Sequence, residues 1–453
     1  MKEKLLGLRI KLGFGVCDLG GNLFFTMMGF HLLFFLTDVT GLRAGLAGTA
    51  LMIGKIWDAV TDPAVGVLSD RTRHRWGRRR PYIFYGAILL FATMILMFLN
   101  PGIPGQGLLF VWAAFAYCLL NTAYTLVNIP YSALLPELTA DFNQRTVLTA
   151  YRMSFAVVGT FIGAGAIRPL AGSFASVNTG WTVMAAAMGA IMMITALATF
   201  FAIREPSEQP PVVREKVFRS FLDAMKTRAF LLSVFPWLLH VTGTSIIQGA
   251  LVYYFRYIYG ADSQFEIALL FLLGSVFVFI PVWAFISRKI GKKLSYNIGM
   301  LVFAVVVIVF FLFAPRLGLT FSYVIMALAG IGFATHYVMP HAILPDVVEY
   351  DYAETGVRRE GIFYGLWTFG SKVGQALALG LNGWILAAFG YAADVDQTAL
   401  AKLGIRLLVG PIPAVFFVAG IIVLSYYPIN RKAYARIIEK IASRAQDHGP
   451  DES

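Results

Sequence analysis

The chain has 453 residues, of which 58% are hydrophobic and only 14% are charged, and its mean hydropathy is +0.71. These values exclude an ordinary soluble domain and indicate a polytopic membrane protein. The net charge of +12 does not indicate a nucleic-acid partner, because the basic residues lie in short loops between apolar segments; membrane lipids with anionic head groups are the expected partners. Cys17 and Cys118 both lie in apolar segments, which excludes a disulfide framework and a cysteine-based metal site.

The apolar segments predict an all-α membrane protein. The basic N-terminal sequence leads into an apolar run that continues beyond the length of a signal peptide and has no A-x-A cleavage site, so we interpret it as the first span. Twelve stretches reach the roughly 20 apolar residues that cross a bilayer. They are residues 11–37, 43–69, 82–100, 107–135, 146–172, 180–203, 229–259, 265–287, 295–315, 319–344, 360–389 and 405–427.

A polar segment at residues 205–228 divides these spans into two sets of six. We therefore predict a six-helix bundle over residues 1–204, a cytoplasmic central loop over 205–228, a second bundle over 229–428 and a cytoplasmic tail over 429–453. The loop GVLSDRTRHRWGRRRP after span 2 and the loop FISRKIGKKLS after span 8 occupy equivalent places in the two sets, which indicates duplication. Paired bundles of this kind resemble the major facilitator fold.

The basic residues predict the orientation of the chain. They concentrate in the loops after spans 2 and 8 and in the central loop, whereas the loops after spans 1 and 3 contain few or none. The positive-inside rule then places both termini in the cytoplasm of a multi-pass cell-membrane protein. The most basic loop includes Arg78, to which we assign a gating role beside a role in capping the bundle and binding lipid phosphates.

The stretch GKIWDAVTDPAVG places Lys55, Asp58 and Asp62 on one face of a helix within span 2. Each charge at the bilayer centre costs at least about 2.5 to 3.5 kcal/mol, so two carboxylates there need a compensating partner. Carboxylate oxygens on one face can bind Na⁺ or hold a proton, which makes Asp58 and Asp62 candidate ligands of a metal ion. The alternative is a structural ion pair between Lys55 and Asp58, which leaves Asp62 unexplained.

Other polar residues in spans can meet only in an interior cavity. Asp18 and Arg152, in spans 1 and 5, either orient a polar ligand or form a mutual ion pair. Lys372 in span 11 can compete with a cation for the carboxylates and so couple the two halves. Span 4 adds Tyr124, Thr125 and Asn128. For the histidines His31, His240, His336 and His341 we favour interhelical hydrogen bonding over proton transfer, and for most aromatic residues, among them Trp237 and Trp367, we favour packing.

Three blocks resemble the glycoside/pentoside/hexuronide:cation symporters, the melibiose permease group of the major facilitator superfamily. They are IWDAVTDPAVGVLSDRTRHRWGRRRPY, NIPYSALLPELTADFNQRTVLTAYRM and LPDVVEYDYAETGVRREGIFYGLWTFGSKVGQ. The resemblance implies a cation site formed by Asp58, Asp62, Thr125 and Lys372. It implies substrate contacts from Asp18, Tyr124 and Arg152, to which we add Asn128, Tyr337 and Thr368. Asn128 and Tyr337 stand where the melibiose permeases have an Asp and a Trp.

The predicted function is secondary active transport, in which Na⁺ or H⁺ drives symport of a sugar, glycoside or related small polar solute by alternating access. Lys55, Arg78 and Lys372 are the predicted gating or coupling residues. A sodium-dependent transporter of lysophospholipids or other amphiphiles is the alternative on the same fold. An intramembrane metal-dependent enzyme is less favoured, because the DxxxD motif occurs only once within the predicted spans. No ATP-binding GxxxxGK[ST] motif occurs, and we expect a monomer without cofactors.

Overall fold

The computed structural model describes residues 6–139, 141–205, 224–357 and 359–447, with the backbone alone for 142, 143, 442 and 444–447. Within these ranges the regular secondary structure is entirely helical, so the predicted all-α class is confirmed. Most of the predicted central loop, including Arg214, Lys216 and Arg219, lies outside the described residues.

The helices before the central loop follow the predicted spans closely. They are α1 (Leu8–Gly15), α2 (Cys17–Phe34), α3 (Ala44–Arg71), α4 (Arg80–Met97), α5 (Gln106–Leu138), α6 (Phe142–Gly165), α7 (Ile167–Gly172) and α8 (Val177–Ala202). A π-helical turn, Phe35–Val39, extends α2. The first predicted span is therefore built from α1 and α2, which are separated at Val16.

The helices after the central loop include one that is much longer than a span. They are α9 (Arg228–Tyr257), α10 (Phe265–Ile290), α11 (Lys292–Thr355), α12 (Glu360–Ala388), α13 (Ala399–Val409), α14 (Pro411–Ser425) and α15 (Arg431–Asp447). The 64-residue α11 is interrupted at Gly318, whose φ of 76° is not helical. Glycine accepts this conformation because it has no Cβ. The interruption falls between predicted spans 9 and 10.

Nine helical stretches among the described residues are long and apolar enough to cross a membrane. α11 counts once among them despite its interruption at Gly318. The long helices α3 and α12 are not among them, and these hold the predicted cation-site residues Asp58, Asp62 and Lys372. Charged residues lower the hydropathy of a helix without preventing it from lining an interior site. The number of twelve crossings stays a prediction.

The chain forms two compact units. The first contains the residues up to 205 together with Gln248–Leu270 and Leu379–Ile405, so segments from the second half of the sequence pack with the first half. The second contains residues 224–247, Phe271–Ala378 and the chain from Arg406 onward. The predicted pair of bundles divided at the central loop stays a prediction.

In the first unit, α2 packs on α6 through a close backbone contact. A Cβ added at Gly159 of α6 would lie 2.1 Å from the carbonyl oxygen of Leu19 on α2. Only glycine permits helices to approach this closely. Because Arg152 lies two turns before Gly159 on the same face of α6, the contact also brings Arg152 to Asp18, the residue before Leu19.

Candidate functional site

Three of the predicted cation-site residues meet where α3 packs on α5. Thr125 Oγ1 lies 3.0 Å from Asp58 Oδ1 and 3.0 Å from Asp62 Oδ1. Lys55 Nζ donates to the other oxygen of Asp58, Oδ2, at 2.9 Å. Lys55, Asp58 and Thr125 are buried, and Asp62 is half-buried. The Lys55–Asp58 ion pair considered from the sequence is thus present beside the oxygen cluster, and the two interpretations are compatible.

The Thr125 hydroxyl alone cannot hold both carboxylate oxygens by hydrogen bonds. A threonine hydroxyl has one hydrogen, so Thr125 can donate to only one carboxylate at a time. Its oxygen is equally close to Asp58 and Asp62. With both aspartates ionised, the second contact between oxygens is repulsive unless a proton or a cation lies between them. Two carboxylates and a hydroxyl are oxygen ligands that suit a hard cation.

Two contacts set the register of α3 against α5. A Cβ added at Gly54 would lie 2.2 Å from Cδ1 of Tyr117, so the helix can approach the tyrosine ring only because position 54 is glycine. One turn further along, Trp57 Nε1 donates to Thr122 Oγ1 at 2.9 Å. These contacts lie next to Asp58, and they fix the distance at which its carboxylate meets α5.

Pro63 adds an acceptor to the same segment of α3. It lies inside the helix, directly after Asp62. Because proline has no N–H, the carbonyl of Ala59, four residues earlier, loses its helical donor. The carbonyl that is released belongs to the residue after Asp58, so the segment that holds both carboxylates also offers a backbone oxygen.

Asp18 and Arg152 form the ion pair that the sequence offered as one alternative. Arg152 Nε donates to Asp18 Oδ2, and Nη2 lies 3.3 Å from Oδ1. Tyr131, which sequence reasoning missed as a site residue, places its hydroxyl 2.5 Å from Asp18 Oδ2 and 2.9 Å from the carbonyl oxygen of Phe14. The guanidinium of Arg152 also lies 4.9 Å from the centre of the Tyr131 ring. The sequence did contain a signal for Tyr131 as a site residue, because it lies one turn after Asn128 and shares a face of α5 with it.

A small pocket opens beside this ion pair. The other alternative, in which Asp18 and Arg152 orient a polar ligand, is therefore compatible with the structure as well. Its empty volume, including the space open to the surroundings, is about 320 Å³, and Asp18, Tyr124, Asn128 and Tyr131 are among the residues that line it. Tyr124 stacks on Phe24, with ring centres 4.2 Å apart and planes 8° apart. The first unit therefore brings together four of the predicted substrate-binding residues, with Arg152 reaching the pocket through Asp18.

The remaining predicted residues lie in the second unit. Tyr337 lies on α11 and is 46% exposed. Thr368 and Lys372 lie on α12, where Thr368 is exposed and Lys372 is half-buried. The Thr368 hydroxyl donates to the carbonyl of Tyr364 at 3.0 Å, which leaves its lone pairs available as acceptors. The roles of these three residues stay predictions.

Arg78 is tied into the first unit by two carboxylates. Its guanidinium pairs with Glu137, near the end of α5. Glu205 accepts from the backbone N–H groups of Arg78, Arg79 and Arg80, each at 2.8 Å. A carboxylate in this place satisfies free donors of the first turn of α4 and complements the helix dipole. Sequence reasoning did not identify these partners, although each is an acidic residue at the end of a span, opposite a basic loop.

A second polar cluster, which we name the Asp38 network, lies at the other ends of the helices of the first unit. Asp38 accepts from Thr37 Oγ1 at 2.6 Å, from Tyr391 at 2.6 Å and from Tyr257. Arg256 Nε lies 3.8 Å from Asp38 Oδ1, and its guanidinium pairs with Asp394. Burial, together with the nearby Tyr253 and Asp38, raises the pKa of Tyr391, so its hydroxyl keeps the proton that it donates.

Comparison with known proteins identifies relatives over almost the whole chain. An uncharacterised symporter of Synechocystis is 30% identical, with 97% of each chain covered. A glucuronide carrier protein homolog of Escherichia coli is 29% identical, covering 97% of this chain and 96% of its own. A sodium-dependent lysophosphatidylcholine symporter of Danio rerio is 28% identical, covering 90% of this chain and 83% of its own.

Solved structures identify the fold. A crystal structure of the nucleoside transporter NupG superposes with a TM-score of 0.68 at 13% identity, covering 93% of this chain and 99% of that chain. This likeness confirms the predicted major facilitator fold, and the relatives confirm that the chain is a membrane transporter. Residues 13–431 match the model of the family described as MFS/sugar transport protein. The chain belongs to this family.

Proposed function

We propose that the protein is a cation-coupled symporter that carries a sugar, a glycoside or a related small polar solute across the cell membrane by alternating access. The observation that carries the proposal is the convergence of Asp58, Asp62 and Thr125 where α3 packs on α5, at oxygen distances of 3.0 Å. Intramembrane carboxylates of this kind are costly and mark ion pathways. The relatives named as symporters support the same function.

The charges on α3 favour a monovalent ion. Asp58, Asp62 and Lys55 together carry one net negative charge, which one monovalent cation balances. Three oxygens from separate side chains meet at Thr125, whereas a proton needs only one carboxyl oxygen and one acceptor, so we propose Na⁺ rather than H⁺. We propose that Lys372 supplies the positive charge in the cation-free protein, as the family resemblance implies, and that Lys55 and Arg78 assist gating.

The pocket beside Asp18 is our proposed solute site. Asp18 and Asn128 can accept hydrogen bonds from solute hydroxyl groups, and the guanidinium of Arg152 can donate to solute oxygens. Tyr124 offers a hydroxyl and the edge of a stacked ring. We propose that Tyr337 and Thr368 contribute contacts from the second unit. The relative named as a glucuronide carrier protein homolog supports a sugar-like solute.

We further propose that both termini lie in the cytoplasm and that the protein acts as a monomer. The orientation follows from the Lys and Arg residues of the loops after spans 2 and 8. A lysophospholipid is the second candidate solute, and the observation that favours it is the relative named as a sodium-dependent lysophosphatidylcholine symporter.

The experiment compares uptake by proteoliposomes under an imposed Na⁺ gradient, under a pH gradient and without a gradient. Labelled sugars, uronides and lysophosphatidylcholine serve as solutes. We expect Asp58→Asn and Asp62→Asn each to abolish gradient-driven uptake while folded yield stays at the wild-type level, because each removes a charged ligand of the cation. Asp396→Asn, at an exposed loop carboxylate, is the matched control. Undiminished cation stimulation in both variants would refute the proposal.

A further inference from the structure

Four aromatic side chains of the second unit form a continuous ring cluster. Trp237 and His240 lie on α9, His336 on α11 and Trp367 on α12. The ring centre of Trp237 lies 4.8 Å from that of His336 and 5.6 Å from that of Trp367, and the two indole planes are 8° apart. The rings of His240 and His336 are 4.9 Å apart at nearly a right angle. Three long helices thus meet at one set of nitrogen-bearing rings.

Each ring of the cluster contains a buried nitrogen that has no hydrogen-bond partner among the described residues. These atoms are Trp237 Nε1, Trp367 Nε1, His240 Nε2 and His336 Nδ1. The side chains of Trp237, Trp367 and His240 are 6%, 4% and 0% exposed. Buried polar atoms are normally paired, because an unpaired donor loses its hydration without compensation. Four such atoms on touching rings therefore indicate a site that binds something polar.

The chemistry of these nitrogens restricts the ligand. An indole N–H can only donate, and the imidazole nitrogens can donate in the appropriate tautomer. His240 already uses Nδ1, which lies 2.8 Å from the hydroxyl of Tyr296. The stretches 229–257, 296–345 and 361–388, which hold all of these rings, contain no Asp or Glu. These stretches therefore supply no carboxylate as an acceptor, which favours a ligand that brings hydrogen-bond acceptors itself.

The cluster continues to exposed residues. The ring of His341, which is exposed, lies 5.8 Å from that of Trp237. Tyr337 is 46% exposed, and its ring centre lies 5.2 Å from that of His336. A ligand could therefore contact these outer rings before it reaches the buried nitrogens.

We propose that this ring cluster binds an anionic oxygen group of the transported solute, either a carboxylate or a phosphate. A sugar hydroxyl both donates and accepts, but these two groups, when ionised, only accept, which suits a site rich in N–H groups and without carboxylates. The inference rests on the proposed symport function and narrows its substrate class to solutes that carry an ionised carboxylate or phosphate, here called acidic. In the first unit, by contrast, the carboxylate of Asp18 suits the donating hydroxyl groups of a sugar.

Equilibrium binding to the protein in lipid nanodiscs tests the site without an ion gradient. The probes are methyl glucoside, methyl glucuronide, glucose 6-phosphate and lysophosphatidylcholine, which separate the neutral sugar, the carboxylate and the two sources of phosphate. We expect the wild-type protein to prefer at least one acidic probe over methyl glucoside. Trp237→Phe and Trp367→Phe keep an aromatic ring but remove the N–H, and each should weaken binding of that acidic probe about tenfold.

Trp283→Phe is the matched control. This tryptophan is also buried in the second unit, but its Nε1 donates to the carbonyl oxygen of Ile331 at 2.7 Å. The control should lower the melting temperature and leave affinity unchanged, whereas Trp237→Phe and Trp367→Phe should lower affinity without losing a hydrogen bond of the folded protein.

Two results would overturn the inference. One is a wild-type protein that binds no acidic probe more tightly than the neutral sugar; the other is wild-type affinity for the preferred acidic probe in both Trp→Phe variants, as packing or bound water at the cluster predicts. Both results leave the proposed symport untouched, because that is decided by gradient-driven uptake. Conversely, indole-dependent binding of an acidic probe without cation-driven uptake would refute symport and retain the site.

Discussion

Thr125 is the residue on which the proposed cation site depends most directly. Its single hydroxyl lies between two carboxylates, each 3.0 Å away. Lys55 donates to Oδ2 of Asp58, whereas Oδ1 is the oxygen that lies near Thr125. We propose that a cation bound there replaces the repulsion between ionised oxygens with attractive contacts, and we therefore expect the loaded site to be favoured over the empty one.

Replacing Thr125 by valine tests this arrangement at the scale of one atom. Thr125→Val keeps the shape of the side chain and removes the oxygen, so we expect about tenfold weaker activation of uptake by the cation. Thr125→Ser retains the hydroxyl and should stay close to the wild-type protein. Thr93→Val, on α4, removes a buried hydroxyl that donates to carbonyl oxygens of its own helix and is the control. Equal cation dependence in Thr125→Val and Thr93→Val would contradict the role of Thr125.

Single residues differ in how far the sequence reveals them. Lys55, Asp58 and Asp62 could be identified because charges inside an apolar run are rare, and the helical repeat places them on one face. Tyr131 could not, because tyrosine is common in spans and its partner Asp18 lies 113 residues away. The indole nitrogens of Trp237 and Trp367, which have no hydrogen-bond partner in the described part of the chain, could not be identified either, because the sequence does not show whether an indole N–H is bonded.

At the scale of helices, the contact of α3 with α5 decides whether the cation ligands meet. Gly54 allows α3 to lie against the ring of Tyr117, one turn from Asp58. Gly66 lies on the same helix, where an added Cβ would be 3.8 Å from Ile129 and in ordinary contact. The two glycines therefore differ in what a methyl group would displace, although both substitutions are chemically the same.

We expect Gly54→Ala to weaken cation activation and lower the melting temperature, because the methyl group forces α3 away from Tyr117 and separates Asp58 from Thr125. Gly66→Ala should change neither quantity by much. Cation titrations of uptake and thermal unfolding of both variants check the expectation. A Gly54→Ala protein with wild-type cation affinity would show that the helix contact does not set the geometry of the site.

The helices themselves were largely predictable from the sequence, because bilayer-length apolar runs separated by polar loops leave few alternatives. The end of predicted span 9 and the start of span 10 lie on either side of Gly318, where α11 is interrupted. Their grouping was less predictable. The segments Gln248–Leu270 and Leu379–Ile405 pack with the first half of the chain, and such contacts depend on side chains distant in sequence.

At the scale of the whole molecule, the Asp38 network connects the two halves of the sequence within the first unit. Asp38 bonds to Tyr257 and Tyr391, which lie 219 and 353 residues further along the chain. No local pattern reveals such partners. In an alternating-access cycle, separation of the helices at this end requires these bonds to break, so we expect the network to hold this end closed.

We expect Asp38→Asn to loosen this end, because the amide carries no charge for Arg256 and offers one acceptor oxygen instead of two. Hydrogen–deuterium exchange should rise at residues 35–42, 253–262 and 389–397. Asp396→Asn, in the same loop as Tyr391, should leave exchange unchanged outside its own loop. If the Asp38→Asn protein exchanges like the wild type at all three segments, the network does not hold the end closed.

The composition of the Asp38 network also has a consequence for the temperature dependence of transport. Its contacts are short, charge-assisted hydrogen bonds, and breaking them costs mainly enthalpy. Apolar contacts differ, because their contribution near room temperature is mainly entropic. If opening of this end limits turnover, the barrier is mostly enthalpic. Uptake by the wild-type protein would then slow steeply on cooling, while Asp38→Asn would give a shallower Arrhenius slope and lose less of its rate in the cold.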